Sequence, residues 1–237
     1  PDAPRYQVIL FDKSMSIRLE QSLPVLSGNG AEPLIVSASE SAIVDIKGSS
    51  APIELGDHVI LDHITLRDFS GTALRISGDH SVLIHSTVTH NGFGSSPAVM
   101  VTGRFNQIVN SSIAHNASTG IWVSEGTSPN CDRVLHEGGG QGTRIIGSRI
   151  EKNGTAGAGG IYGYGVLINA YDVEIGPLDT DNDAISEAMR VGDRIRDGTQ
   201  IHYASVITGN AAGGVYVDSQ SVCHSIMDLR LHTALIT

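Results

Sequence analysis

The chain is short of the residues that mark disulfide scaffolds, membrane spans and helical bundles. It has two cysteines, Cys131 and Cys223, far apart and without metal-ligand spacing, so no disulfide framework is written into it. Two free thiols and one bridge both stay open. No apolar run approaches about 18 residues, so no membrane insertion is expected. No charged and then apolar leader opens the chain, which starts at PDAP as a mature chain or an excised piece would. Up to Lys47 no segment keeps a helical period over about eleven residues. Charged residues are only 17%, and cations are the scarcer sign: Lys and Arg number 15 against 25 Asp and Glu, a net charge of -10. That balance argues against nucleic acid and anionic membrane as main partners. An anionic ligand would need local cations or a bridging metal.

What is plentiful is glycine, 28 of 237 residues, and repetition. STVTHNG (Ser86 to Gly92) returns as SSIAHNA (Ser111 to Ala117), a step of 25 residues, and again as SRIEKNG from Ser148 and SVITGNA from Ser205. Such a period is the signature of a solenoid. From Pro52 three short strand-like segments follow one another and the set restarts. The first segments are PIELG (52–56), ALRIS (73–77), AVMVT (98–102), GIWVS (120–124), GVLIN (165–169), AMRVG (188–192), GVYVD (214–218) and ALIT (234–237). The second begin at His58, His80, Phe105, Gly142, Tyr171 and Thr199. The third end at Asp68, Asn91, Asn116, Asn153, Asp181 or Asn182, Asn210 and His232. Longer intervals are read as insertions between first and second segments, near 125–141 and 183–187. Three strands per coil and few hairpin turns predict an all-β chain: a single-stranded right-handed parallel β-helix of about eight to ten coils, one domain over 1–237 with N-terminal coils in 1–50 and regular coils in 51–237. Alternation assigns the faces, with Leu74, Ile76, Ile121 and Val123 pointing in and Arg75 and Trp122 pointing out.

The repeat G-[IVL]-x-[IVL], followed by [IV]-x-x-S-x-[IV]-x-x-N, resembles that of pectate-lyase-like β-helix proteins. The opening VILFDKSMSIRLEQSLPVLSGNG is similar to the first coil of pectate lyases and secreted β-helix surface proteins. The resemblance spans the chain from about Val8 and is specific for the fold, a pectin-lyase-like solenoid. Its superfamily holds lyases, hydrolases, epimerases, tailspikes and adhesins, so function must come from the site. It implies a polysaccharide or oligosaccharide partner along the first strands and a secreted or cell-surface location.

The outward row of the first strands reads Glu54, Arg75, Met100, Trp122, Leu167, Arg190, Tyr216 and Ile236. Sugar C–H faces stack on aromatic rings and guanidinium forks match carboxylates. Trp122, Tyr216, Asp218 and Glu125 are therefore the candidates for substrate binding, with packing under the 125–141 insertion as the plainer role for Trp122. The third strands add Asp68, His90, His115 and Lys152. Histidine titrates near neutrality and stacked imidazoles can hold a metal, whereas the plainer reading is a solvated polar row on a turn. Asp179, Asp181 and Asp183 offer the alternating oxygens of a Ca²⁺ loop, although Ala184 and Arg190 break the EF-hand pattern and an acidic surface turn serves equally. The repeated asparagines are read as turn-formers and amide ladders, ahead of their reading as sequons.

Two functions follow. One is a carbohydrate-active enzyme on an acidic, uronate-containing polysaccharide. For the lyase or epimerase form the resemblance implies a base that removes the proton beside the uronate carboxyl. The candidates for that base are Arg75, His90, His115, Lys152 and Arg190. The hydrolase form lacks the GHG and RIK motifs that the resemblance would require. The other is a non-catalytic glycan-binding adhesin, stalk or tailspike-like segment. The end at ALIT, in mid-coil, predicts a partner, further domain or oligomer over the open strand edge.

Overall fold

A computed structural model describes residues 6–30, 32–39, 42–48, 51–92, 94–124, 139–154, 163–170, 173–176, 205–217, 229–231 and 235–236. Their strands form three wholly parallel sheets. Sheet I stacks Ile53–Leu55, Leu74–Ile76, Val99–Val101, Ile121–Ser124, Tyr164–Asn169 and Gly213–Val217. Sheet II stacks Gln7–Phe11, Leu34–Ala38, Val59–Asp62, Val82–Ile84, Gln107–Val109, Arg144–Ile146, Val173–Gly176 and Leu229–Leu231. Sheet III stacks Met15–Arg18, Val44–Lys47, Ile64–Arg67, Thr87–Thr89, Ser112–Ala114, Arg149–Glu151, Val206–Thr208 and Leu235–Ile236. The chain visits sheets II, III and I in turn and then climbs one rung, which is the path of a parallel β-helix. No helix among the described residues is long and apolar enough to cross a membrane.

Inward residues build one continuous column. Leu74, Val99, Ile121 and Val166 lie in register on sheet I; Leu61, Leu83, Ile108 and Ile145 on sheet II; Leu66, Val88, Ile113 and Ile150 on sheet III. None is more than 1% exposed. Sheet II departs from simple alternation. Its outward residues Ile35, Ile60, Val82, Ile84, Val109 and Ile146 are buried too and form a second apolar cluster, joined by Tyr6. Strands buried on both faces read as unbroken apolar runs, and VIL, VLI and IV are such runs.

The late repeats fall differently from the sequence reading. Leu167 pairs directly with Tyr216, so no Ala188–Gly192 rung, and hence no Arg190, stands between them on sheet I. Leu235–Ile236 pairs with Val206–Ile207 and belongs to sheet III, so Ile236 packs against the core and leaves the outward row. Leu229–Leu231 continues sheet II, where the sequence placed the segment beginning at Thr199, and so cannot close a third strand at His232. The second long interruption lies between Gly176 and Val206, at the corner between sheets II and III, and not between first and second segments. Apolar pairs such as those in AMRVG and ALIT fit any of the three sheets. Only register tells which one.

Buried side-chain ladders lock the rungs at the corners. Asn91, Asn116, Asn153 and Asn210 lie one above another. Asn91 Nδ2 donates to Asn116 Oδ1 (3.2 Å), Asn116 Nδ2 to Asn153 Oδ1 (2.8 Å) and Asn153 Nδ2 to Asn210 Oδ1 (3.0 Å). Each amide also donates to a carbonyl of the coil below, as Asn116 does to Val88 O, and each accepts from a backbone N–H of that coil. A serine ladder at the next corner repeats the device through Ser86, Ser111, Ser148 and Ser205. Asn116 and Asn153 are 2% and 0% exposed, which removes them as glycosylation acceptors in the folded chain. Replacing Asn116 by alanine leaves the buried Asn91 N–H without its acceptor and takes one hydrogen bond each from Val88 O, the Asn91 amide and Asn153 Oδ1, the last two keeping Leu66 O and the residue-116 N–H as partners. An unmet buried group costs about 1–3 kcal/mol before relaxation and each weakened partner adds to it, so Asn116→Ala is expected to lose about 2 kcal/mol or more in urea unfolding. A loss under about 1 kcal/mol would show that the ladder contributes little.

Candidate functional site

Tight corners determine where reactive side chains go. Among the described residues ten non-glycines have positive φ: His58, His63, Asp68, His80, His85, His90, Phe105, Asn110, His115 and Lys152. All are corner residues, and they include every histidine among the described residues. Asn, Asp and His are enriched in left-handed backbone, which gives these histidines a conformational reason as well as a chemical one. Because rungs stack in register, corner residues form rows. His58, His80 and Phe105 make one, with ring centroids 5.2 Å apart at both steps. His63, His85 and Asn110 make a second. Asp68, His90, His115 and Lys152 make the third, between sheets III and I.

The third row contains three of the five expected catalytic residues. His90 and His115 stack with centroids 5.8 Å apart and planes 10° from parallel. Lys152 follows on the next rung. All three are exposed and line an open groove of about 440 Å³ floored by Asn91, Gly92, Asn116, Ala117 and Gly154. Thr89 Oγ1 lies 3.0 Å from His90 Nδ1. The lining contains no carboxylate, so among the described residues the groove is cationic or neutral throughout.

The outward row of sheet I keeps the expected order from Glu54 through Arg75, Met100, Trp122 and Leu167 to Tyr216. Arg75 is exposed and is not a lining residue of the groove. Trp122 is half-buried, and its Nε1 donates to Asn169 Oδ1 at 2.9 Å, which fixes the indole plane. Leu167 points outward yet is only 4% exposed between the rungs of Trp122 and Tyr216. Tyr216 stacks on Tyr164, with centroids 4.8 Å apart and planes 20° from parallel. Tyr164 was not among the sequence candidates, because the Gly-rich YGYG stretch hid the start of its strand. Glu125, Arg190, Asp218, the expected calcium ligands Asp179, Asp181 and Asp183, and Cys131 and Cys223 all lie outside the described residues.

Metal-ligating side chains do converge, but at another corner. Asp62, His63 and His85 present ligand atoms within 4.8 Å of one another. The signal was available in sequence: HVILDH and HSVLIH place two histidines at the same spacing in successive coils.

Neither the protein-family models nor the curated proteins contain a match for this chain. Among solved structures it is similar to the crystal structure of pectate lyase Pel9A, with a TM-score of 0.52 and 14% identity over 97% of this chain and 68% of that one. The likeness establishes the fold, a right-handed parallel β-helix of the pectate-lyase kind, and carries no residue role across.

Below the groove the row changes character. Arg67, next to Asp68, donates from Nε and Nη2 to the two oxygens of Asp45 at 2.7 and 2.6 Å. These hydrogen bonds hold the Asp45 carboxyl below its ordinary pKa, against the opposing effect of burial. A lowered folded-state pKa gives stability that is present above the unfolded value and lost as pH falls through the folded one. The melting-temperature gap between wild type and Asp45→Asn is therefore expected at neutral pH and should close as pH drops below about 3.8. A gap that persists in strong acid would remove the ion pair as its cause.

Proposed function

We propose that this β-helix acts on an acidic, uronate-containing polysaccharide held along the corner between sheets III and I, as a lyase or epimerase. The observation that carries this reading is the convergence of His90, His115 and Lys152 in one open groove without a carboxylate in its lining. On a chain of net charge -10, a basic row of this kind is a selective place for an anionic sugar. Two of its cations hold the uronate carboxylate, and the third group, unprotonated, removes the proton on the adjacent carbon. Loss of the glycosidic oxygen from the next carbon then gives an unsaturated uronate; return of a proton to the opposite face gives the epimer. Trp122 and the Tyr164–Tyr216 pair supply ring faces for neighbouring sugars on sheet I, and Arg75 offers a second carboxylate contact. Such a polymer is met outside the cell, in keeping with a secreted or surface-borne chain.

One observation favours the non-catalytic alternative. Among the described residues no carboxylate in the lining orients either imidazole or offers calcium a ligand, so the groove could serve purely as an anion cradle. A panel of uronate polymers, followed by the absorbance of the unsaturated product with and without Ca²⁺, separates the two. The enzyme reading expects product, and a loss of about 100-fold or more in His115→Ala or Lys152→Ala. Retention of a polymer without unsaturated or epimerised product leaves the glycan-binding reading. Trp122 is the chain's only tryptophan, so its fluorescence reports whether the bound polymer reaches sheet I. Neither product nor retention on any of the polymers overturns both.

A further inference from the structure

At the corner between sheets II and III, Asp62 is the last residue of its strand and His63 and His85 are the left-handed corner residues of that rung and the next. The two imidazoles are 4.7 Å apart and tilted by 54°. This is unlike the near-parallel pairs His58–His80 and His90–His115, at 7° and 10°. The tilt turns both Nδ1 atoms toward one carboxylate oxygen. His63 Nδ1 lies 2.5 Å and His85 Nδ1 3.2 Å from Asp62 Oδ1. The other oxygen, Oδ2, accepts from Ser37 Oγ at 2.7 Å, so the carboxylate is anchored from behind. The Asp62 side chain is 2% exposed, whereas those of His63 and His85 are 26% and 32% exposed, so both rings are in part exposed to solvent. One rung further along the row, Asn110 Oδ1 is buried without a hydrogen-bond partner among the described residues.

We propose that Asp62, His63 and His85 form a binding site for a borderline divalent transition ion of the zinc class, joining two successive coils of the β-helix. Two imidazole nitrogens and one carboxylate oxygen suit zinc, cobalt or nickel. They do not suit calcium or magnesium, which take mainly oxygen ligands. Bonds of about 2.0–2.1 Å in a tetrahedral site put ligand atoms about 3.3 Å apart. The His85–Asp62 spacing already matches, the His63–Asp62 contact needs to lengthen by less than about 1 Å, and the two imidazole nitrogens must close to that spacing from within 4.8 Å. Coordination through Nδ1 requires each imidazole to offer its lone pair there and to carry its remaining proton on Nε2. A fourth ligand, water, would enter from the partly exposed side of the two rings, and the Ser37 hydroxyl orients the carboxylate by its hydrogen bond. The site lies at a different corner from the polysaccharide groove, so it stands or falls independently of the proposed function.

The test uses the full chain stripped with a chelator. Equilibrium dialysis with Zn²⁺ or Co²⁺ is expected to give one bound ion per chain, not displaced by excess Ca²⁺, with visible Co²⁺ absorption typical of mixed nitrogen and oxygen ligands. His63→Ala and His85→Ala should each weaken binding by at least about tenfold. His80→Ala, in a corner pair with no such shared carboxylate, should leave it unchanged. Zinc should also shield His63 and His85 of the unsubstituted protein from imidazole acylation by diethyl pyrocarbonate, a readout that does not depend on any variant folding. No retained ion, retention undiminished in the His63 and His85 double substitution, or no shielding of these two residues overturns the proposal.

Discussion

Each coil closes because the backbone turns through left-handed conformation at its corners, and this constraint shapes the rest of the molecule. Ten described corners place a side chain where φ is positive, at a cost of about 1–2 kcal/mol each for an ordinary L-residue. The inward Ile, Val and Leu column and the buried Asn and Ser ladders hold the coils in spite of that cost. Histidine, asparagine and aspartate tolerate the turn best, so the backbone recruits polar, titratable residues to the outside of the corners. Register then stacks them into rows at the strand spacing of about 4.8 Å.

The same constraint yields three different chemistries, set by what surrounds each row. Between sheets I and II the row His58, His80, Phe105 is a stack of rings, and the Phe105 ring lies where a Cβ of Gly142 would fall. Between sheets II and III the rings tilt toward a buried carboxylate that comes from the preceding strand position. Between sheets III and I the carboxylate of Asp68 is turned to Arg67, the rings stay parallel, and the row opens into a groove with a lysine beyond the second histidine. A histidine at a β-helix corner is thus first a turn residue. Its chemistry depends on whether an acid, a ring or open solvent stands beside it.

Much of the fold was legible because a solenoid repeats one local code. The Asn and Ser phases, the alternating apolar pairs and the outward order Glu54, Arg75, Met100, Trp122 were all readable before any coordinate. Legibility failed where repeats were interrupted. AMRVG and ALIT have the pattern of a rung but not its address, since an apolar pair suits any of three sheets equally. Sheet II, apolar on both faces, also hides which side of its strands is inward.

The sequence by itself determined the parallel β-helix, its phase from coil to coil as far as Asn169 and the residues that would be lifted onto those corners, because these depend on contacts that recur at a fixed period. Tertiary structure alone decided which of those residues meet. Asp62, His63 and His85 converge because a one-rung climb of 22 residues brings His85 beside His63, and a tilt of the rings aims both at a carboxylate buried by the sheet. His90, His115 and Lys152 share a groove because the interruption between Asn116 and Lys152 leaves their rungs adjacent. Arg75 is also basic but stands apart on the face of sheet I. Distance along the chain does not reveal these differences, because stacking replaces sequence separation with a common spacing of one strand.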